Sequence, residues 1–434
     1  MHKVIVAGAG HGGLTAAANL AKNGFDVTVV EAQPREGLGY DWGDALCRST
    51  FDFVGIPQPD EIHLRKCYPM NYQNPKKTIM VKDSGQPSDN IRFVERKFIL
   101  KYLVDYAESC GVKFLFETKV LSAICDVGRV SGIKVEKDGK TEELYADMII
   151  DAAGMNSPVR RSLPSRFGID NEVNPKYVFT VYRAYYEKLE NKTSDYRYCA
   201  FFDNCGHCGM DWMITEDGYM DVLVGCFSDK LSQAEIDESL AEMKRLYPYL
   251  SDKIFRGGQV AQIPVGKALR KMVCGGYAAV GDSAFMTGAL SGSGMDFAMR
   301  AGKILSDVML EADGDFSVEK LWKYQYTFYK KEYIGQLGSY QIKSMMTVLS
   351  ADDMDYMFEK KILSEKEMFN RNNAKYTAGE LLSKAVYLCA KPKILKALAE
   401  MGLKTLMIDR VMALMPEKYT DFDFHKWQKE YSKL

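Results

Sequence analysis

Three groups of residues in this chain have types and spacings that could do chemistry. In VIVAGAGHGG, residues 4 to 13, the glycines fall as Gly8-x-Gly10-x-x-Gly13, and Glu31 follows. That spacing lets a backbone turn tightly, approach a pyrophosphate and open a helix beneath it, while an acid about 20 residues on takes a ribose hydroxyl pair. A second group, Gly281-Asp282 with Gly292-Ser293-Gly294, joins a hydroxyl-accepting carboxylate to a loop rich in free N–H groups. The third is scattered: Tyr40, Asp44 and His63 after the first glycine turn, and Cys205-x-x-Cys208 with His207 inside it.

The positioning elements are legible. KVIVAG reads as a buried strand, GLTAAANLAKNG as a helix and DVTVVEA as a second strand, a βαβ unit with the glycines at its first turn. Phosphates would sit on the helix N-terminus, where unpaired N–H groups and the helix dipole favour anions. No second glycine fingerprint falls between a strand and a helix, so one dinucleotide is held this way. Tyr277 to Val280 reads as a strand leading into Gly281-Asp282, and a helix is expected from about Met295.

At these residues the chain resembles the FAD-dependent oxidoreductases that include geranylgeranyl reductases, aromatic hydroxylases and flavin halogenases. VGDSAFMTGALSGSGMDFAMRAG looks most like the geranylgeranyl reductase form, with Gly281, Asp282, Ala284, Gly292, Gly294, Ala298 and Gly302 in step. Ala289 stands where that family usually has Pro, and Ala301 where it has Ser. IIDAAGMNSPVRRSL matches the middle motif through Ala152, Gly154, Asn156, Ser157 and Arg160, and FVERKFILKYL brings Arg96 to the cofactor's phosphates. The resemblance implies an α/β fold: a Rossmann-like FAD-binding domain of the PHBH/glutathione reductase type, an antiparallel β-sheet substrate domain and a C-terminal helical region. It implies FAD contacts from Gly8, Gly10, Gly12, Gly13, Glu31, Ala32, Arg96, Val120, Gly154, Asp282, Gly292, Ser293, Gly294 and Met295. NADPH or NADH would act as a transient electron donor.

The departures bear on the substrate. Aromatic hydroxylases need an aspartate where this chain has Ala153, and Asp151 lies two residues early. The halogenase W-x-W-x-I-P motif and its lysine have no counterpart. The reductases' aromatic-x-Trp-x-Phe-Pro motif keeps Trp212 but has Ile214 and Thr215 after it. Their Cys-Gly pair is matched by Trp42-Gly43, with Cys47 five residues late. Trp42 and Trp212 are therefore expected in the substrate pocket, while Tyr40, Asp44 and His63 are the polar groups this fold would bring to the flavin ring.

Domain boundaries follow from pattern. The FAD unit is expected to be discontinuous, using residues 1–75, 94–172 and 265–315. Residues 76–93 and 173–264, strand-rich and aromatic, would form the substrate sheet, with a helix from Gln233 to Leu246. Residues 316–434 read as helical throughout. Within them KPKILKALAEMGLKTLMIDRVMALMPEKY carries an apolar stripe that either packs on the FAD domain or a dimer partner, or touches a membrane surface.

Composition narrows the class. Of 434 residues, 47% are hydrophobic and 26% charged, the range of soluble globular chains. A net charge of -1 provides no basic field for nucleic acid. Ten scattered cysteines, with no secretory signal or membrane span in view, make a cytoplasmic location the expectation. Cys205 and Cys208 read as a plain turn, with a redox dithiol or a metal pair as the alternatives.

The expected activity is an FAD-dependent oxidoreductase that reduces, or desaturates, a C=C bond in an apolar small molecule by hydride transfer at flavin N5. The helix start at Gly292–Met295 would stabilise reduced flavin. The alternatives are a monooxygenase on the same scaffold and an electron-transfer flavoprotein serving a protein or quinone.

Overall fold

The computed structural model describes residues 1–85, 88–189, 196–206, 208–369 and 376–434. Lys3–Ala7 forms the first strand, His11–Lys22 the first helix and Asp26–Val30 the second strand. Between strand and helix, Gly8 adopts φ +91°, and a Cβ there would lie 2.7 Å from the Ala152 carbonyl, so a side chain would meet both backbone strain and a clash. Leu14, Ala16, Ala17 and Leu20 bury the helix's inner stripe, each leucine contributing about 1.5–3 kcal/mol.

Six strands make the first sheet, in the order Val273–Cys274, Tyr277–Ala279, Met148–Asp151, Lys3–Ala7, Asp26–Val30, Lys113–Leu115. Pairing is parallel except for the antiparallel edge Val273–Cys274. The first helix packs on the helix Met295–Ala312. They approach so closely that a Cβ on Gly302 would lie 2.2 Å from the Gly12 carbonyl oxygen. The two small residues set the distance at which two motif segments, nearly 300 residues apart, meet.

A seven-stranded sheet faces this unit, in the order Leu250–Pro264, Val178–Lys188, Tyr219–Cys226, Met210–Thr215, Tyr198–Phe202, Met70–Gln73, Met80–Val81. Alternation along Val178–Lys188 sorts its two faces. Phe179, Val181 and Tyr185 join Trp42, Trp212 and Leu223 on one side. Tyr182, Ala184 and Tyr186 join Met213, Val222 and Val224 on the other, beneath the helix Gln233–Leu246. That helix begins at a capping box, where Ser232 Oγ accepts from the Glu235 N–H and the Glu235 carboxylate accepts from the Ser232 N–H.

Two short strands pair differently from the sequence boundaries. Met70–Gln73, expected with the FAD unit, runs parallel to Tyr198–Phe202 in the substrate sheet. Ile91–Glu95, partly expected with the substrate sheet, instead pairs with Gly43–Cys47 and Arg65–Lys66. Strands of four or five residues carry too little pattern to specify a partner.

Beyond Phe316 the described chain is helical, from Val318–Phe328 to Asp421–Tyr431. Trp322, Tyr324, Phe328, Tyr329, Trp427 and Tyr431 are fully buried there against the first unit. Trp322 Nε1 donates to the Pro416 carbonyl at 2.7 Å, fixing the last helix. No described helix is long and apolar enough to cross a membrane, and all ten cysteines are free thiols.

Candidate FAD and substrate cleft

Between the two sheets lies a cleft of about 1430 Å³. One wall is the carboxyl edge of the parallel sheet. Gly8, Gly10 and Gly12 present backbone, and the helix they open has no side-chain cap, so its first N–H groups face the cleft unpaired. Glu31 ends the second strand with its carboxylate accepting from the Ala9 and Gln33 N–H groups, each at 2.8 Å. These bonds hold the acid rigidly beside the phosphate-binding turn.

Asp151 organises the neighbouring segment. Its buried carboxylate accepts from Ser157 Oγ at 2.6 Å, Tyr277 Oη at 2.9 Å and Ser283 Oγ at 3.0 Å. The residue that looks misplaced beside the hydroxylase motif thus ties Ala152–Asn156 to the Gly281–Ala284 turn. Asp282 is exposed where it opens on the cleft, and Thr287 Oγ1 donates to it at 2.8 Å. Desolvation pushes its pKa up, with Thr287 and Arg96 pulling the other way. Beyond it, the helix Met295–Ala312 begins at Gly294, again without a side-chain cap.

The opposite wall carries buried charge. Arg183, 2% exposed in the middle of Val178–Lys188, holds Asp221 through Nε at 2.9 Å and Nη2 at 2.6 Å. Its Nη1 reaches Asp44 at 2.9 Å, and Arg96 Nε donates to the other oxygen of Asp44. Trp212 lies 4.5 Å from the Arg183 guanidinium and Trp42 5.8 Å. Although burial opposes its charge, Asp221 makes Arg183 hold its proton more tightly than usual. Burial also works against ionised Asp44, but Arg96 and Arg183 keep its pKa below the usual carboxylate range. Burial, with Arg96 nearby, lowers the pKa of His11 to about 3, leaving a neutral imidazole on the cleft wall.

Of the residues expected at FAD, Gly8, Gly10, Gly12, Glu31, Arg96, Gly154, Asp282, Gly292, Gly294 and Met295 line this cleft. Gly13, Ala32, Val120 and Ser293 do not. Gly13 packs on Ala152 and Val6, where a Cβ would clash at 2.6 and 2.8 Å. Ala32 is exposed beyond Glu31, Val120 is buried in the strand Lys119–Cys125, and the Ser293 N–H turns to Ser291 Oγ.

Among the polar and aromatic candidates, Tyr40, Trp42 and Asp44 reach the cleft, with the Tyr40 and Trp42 rings stacked 4.4 Å apart. His63 does not: it is exposed and stacks on Phe98 at 3.7 Å. Trp212 lies behind Arg183 and does not line the cleft. Cys47 is also outside it, beside Asp296, its thiol pushed up to about 11 by burial and that carboxylate. Cys205 and Cys208 sit at the turn between two strands, and burial raises both thiols, Cys208 to about 11, the reverse of redox activation. His207 lies outside the described residues, and among those described no group of His, Cys, Asp and Glu could hold a metal.

Sequence reasoning missed Arg183, Asp221, His11 and Thr287. A signal existed for the first two: an arginine inside VFTVYRAYYEK and an aspartate inside YMDVLVGC each interrupt a strand too apolar to leave a charge unpaired.

The residues present fit FAD. The cleft has room for an extended dinucleotide, two uncapped helix starts point N–H groups into it, and Asp282 offers a carboxylate to a hydroxyl. His11 Nε2, buried at the first of these helix starts, has no hydrogen-bond partner among the described residues. Held here, FAD would rest its phosphates on Gly10–Gly12 and Arg96, and its ring by Gly292–Met295.

Comparison with known proteins agrees. Residues 1–302 match the family described as FAD binding domain. The chain is 25% identical over 418 residues to a digeranylgeranylglycerophospholipid reductase of Sulfolobus acidocaldarius, covering 94% of this chain and 89% of that protein. A geranylgeranyl bacteriochlorophyll reductase-like protein from Thermoplasma acidophilum superposes with a TM-score of 0.73 at 20% identity, over 92% of this chain and 99% of that one. A myxobacterial chondrochloren halogenase shares the fold at a TM-score of 0.63 and 17% identity, over 100% and 97% of the two chains. With that match across most of its length and a cleft built to hold the cofactor, the chain belongs to the FAD binding domain family and is an FAD-dependent oxidoreductase.

Proposed function

We propose that this enzyme saturates carbon–carbon double bonds in an apolar, isoprenoid-type lipid, with NADPH or NADH as the electron donor. The observation that carries the reading is the composition of the cleft past the flavin position. Val181, Leu223, Ala261 and Ile263 give apolar surface to the wall facing Gly292–Met295, beside Thr180, Arg183, Gln259 and Gln262. The wall ends in a polar mouth at Asp229, Lys230, Ser232 and Glu235, which suits a greasy chain with a polar end. The reductase names of the relatives support the same substrate class.

Bound FAD supplies the hydride. The chain's own residues hold and shield the reacting parts. Tyr40 and Trp42 close one side of the ring position. The Gly294–Met295 helix start offers N–H groups where negative charge grows on reduction. Asp44, kept ionised between Arg96 and Arg183, is a poor proton donor and instead fixes the two cations. The proton for the second carbon then comes from water or the substrate's own surroundings.

The test is anaerobic. Purified protein with bound FAD, identified by its absorbance, is mixed with NADPH or NADH, and a geranylgeranyl lipid is then added. Bleaching, followed by reoxidation with a gain of one H₂ per double bond in the product, is expected. Reoxidation only by oxygen, with a hydroxylated product, would reject the reading in favour of a monooxygenase. Bleaching by dithionite alone, with the lipid still reduced, would keep the reaction and replace the nicotinamide by a protein donor.

A further inference from the structure

We propose that the helices Ala378–Cys389 and Pro392–Ala413 form a docking face for an anionic lipid bilayer. The first of these helices carries an apolar face on its outer side. Its charged residues turn toward the protein: Glu380 pairs with Lys366 at 2.6 Å, and Lys384 pairs with Glu367. Leu381, Leu382, Ala385, Val386 and Cys389 turn out and are exposed, while Tyr387 and Leu388 pack inward on a cluster with Met354, Phe358 and Ile394. Among the described residues this face has no partner.

The second helix buries Ile394, Ala397, Ile408, Val411 and Met412 against the protein. About 180° away, at helical spacing, Leu395, Leu403, Leu406 and Leu414 are exposed, Leu406 by 81%. Among the described residues, six of the seven exposed leucines fall between 381 and 414. Scattered apolar residues are ordinary on a protein surface; a contiguous run on two adjoining helices marks an interaction site.

Charge selects the occupant. From Leu381 to Leu406 the chain carries five lysines against the single acid Glu400. Lys384 and Lys393 are taken up by Glu367 and Asp353, which leaves Lys391, Lys404 and Lys396, the last 3.9 Å from Glu400, to flank the leucines. Leucines projecting from a lysine-rich flank suit the headgroup–acyl boundary of an anionic membrane, where the leucines enter and the lysines meet lipid phosphates and carboxylates. A second copy of the chain suits it less, because a two-fold interface would bring the same lysines face to face. The inference stands apart from the catalytic reading, since it concerns a surface that does not line the cleft.

The full chain with bound FAD would be co-sedimented with phosphatidylcholine vesicles, with and without phosphatidylserine, at low and high salt. Binding to the phosphatidylserine vesicles that weakens with salt is expected. Leu382→Glu combined with Leu406→Glu should lower that binding roughly tenfold or more. Lys396→Glu with Lys404→Glu should remove the preference for anionic lipid. Unchanged FAD absorbance and melting temperature would show that the variants are folded, as expected for exposed positions. No binding to either vesicle, or equal binding to both, overturns the proposal. A dimer in sedimentation velocity that the leucine variant dissociates overturns it in favour of a second copy.

Discussion

On the parallel-sheet side, the cleft is lined by backbone at Gly8, Gly10 and Gly12 and by two uncapped helix starts; on the other side it is lined by Arg183, Thr180 and the apolar residues of an antiparallel sheet. The first wall would hold phosphate on N–H groups that any sequence possesses, so its demand on residue type is mainly that side chains be absent. The second wall holds charge in a desolvated place, so each charged residue there depends on a partner brought by another strand. A backbone wall tolerates variation around it and leaves a motif. A charged wall leaves no motif, yet it is the wall that breaks when a single partner is lost.

The largest effect should come from that charged wall. Arg183→Met strands Asp221 and removes one of the two cations on Asp44, and it should cost about 3–5 kcal/mol in urea unfolding. Arg183→Met with Asp221→Leu should recover most of that loss. If the double variant is no better than the single one, the buried charge is not what makes this wall fragile.

On the backbone wall, Asp282→Asn keeps shape but removes the charged acceptor facing the cofactor. It should weaken FAD binding by about 1.5–3 kcal/mol, read by flavin fluorescence titration, with little change in the melting temperature of the apoprotein. A loss of apoprotein stability equal to the loss in affinity would mean that Asp282 supports the fold and not the ligand.

His11, on the seam between the two walls, sets a pH dependence. Its pKa falls from 6.5 when unfolded to about 3 when folded. Below 6.5 the unfolded chain therefore binds a proton that the folded chain refuses, and stability falls as the pH falls. The slope is about 1.4 kcal/mol per pH unit just above the carboxylate range. His11→Gln should flatten that part of the curve, and an unaltered slope would place the sensitivity elsewhere.

The smallest effect serves as the control. Arg35 pairs with Glu108 at 2.7 Å and Asp105 at 2.5 Å on the surface, with geometry as good as that of Arg183. Arg35→Ala should cost less than about 1 kcal/mol, because water replaces the lost partner. A cost comparable to that of Arg183→Met would remove burial as the distinction.

Much of the first wall was legible because its requirements are local. Gly8, Gly10 and Gly12 sit within one strand–turn–helix, Glu31 closes the next strand, and Asp282 follows its own strand directly. Val120, Ser293 and His63 were misplaced because being near a motif in sequence does not say which way a side chain points. Trp212 was expected in the pocket and lies behind Arg183. Asp151, which looked like an aspartate in the wrong register, proved to be the hydrogen-bonded anchor of two cleft loops.

The sequence by itself determined the dinucleotide turn, the order of the cofactor segments and the helical character of the last third, because each rests on spacing within a few turns of chain. Only the tertiary structure decided that Asp44, Arg96, Arg183 and Asp221 form one ionic chain. It also decided that Met70–Gln73 belongs to the substrate sheet and that Leu381 and Leu382 face outward. Those outcomes depend on contacts between residues far apart in sequence, where the cost of burying a charge or the shape of a facing sheet chooses the partner, and no local pattern encodes that choice.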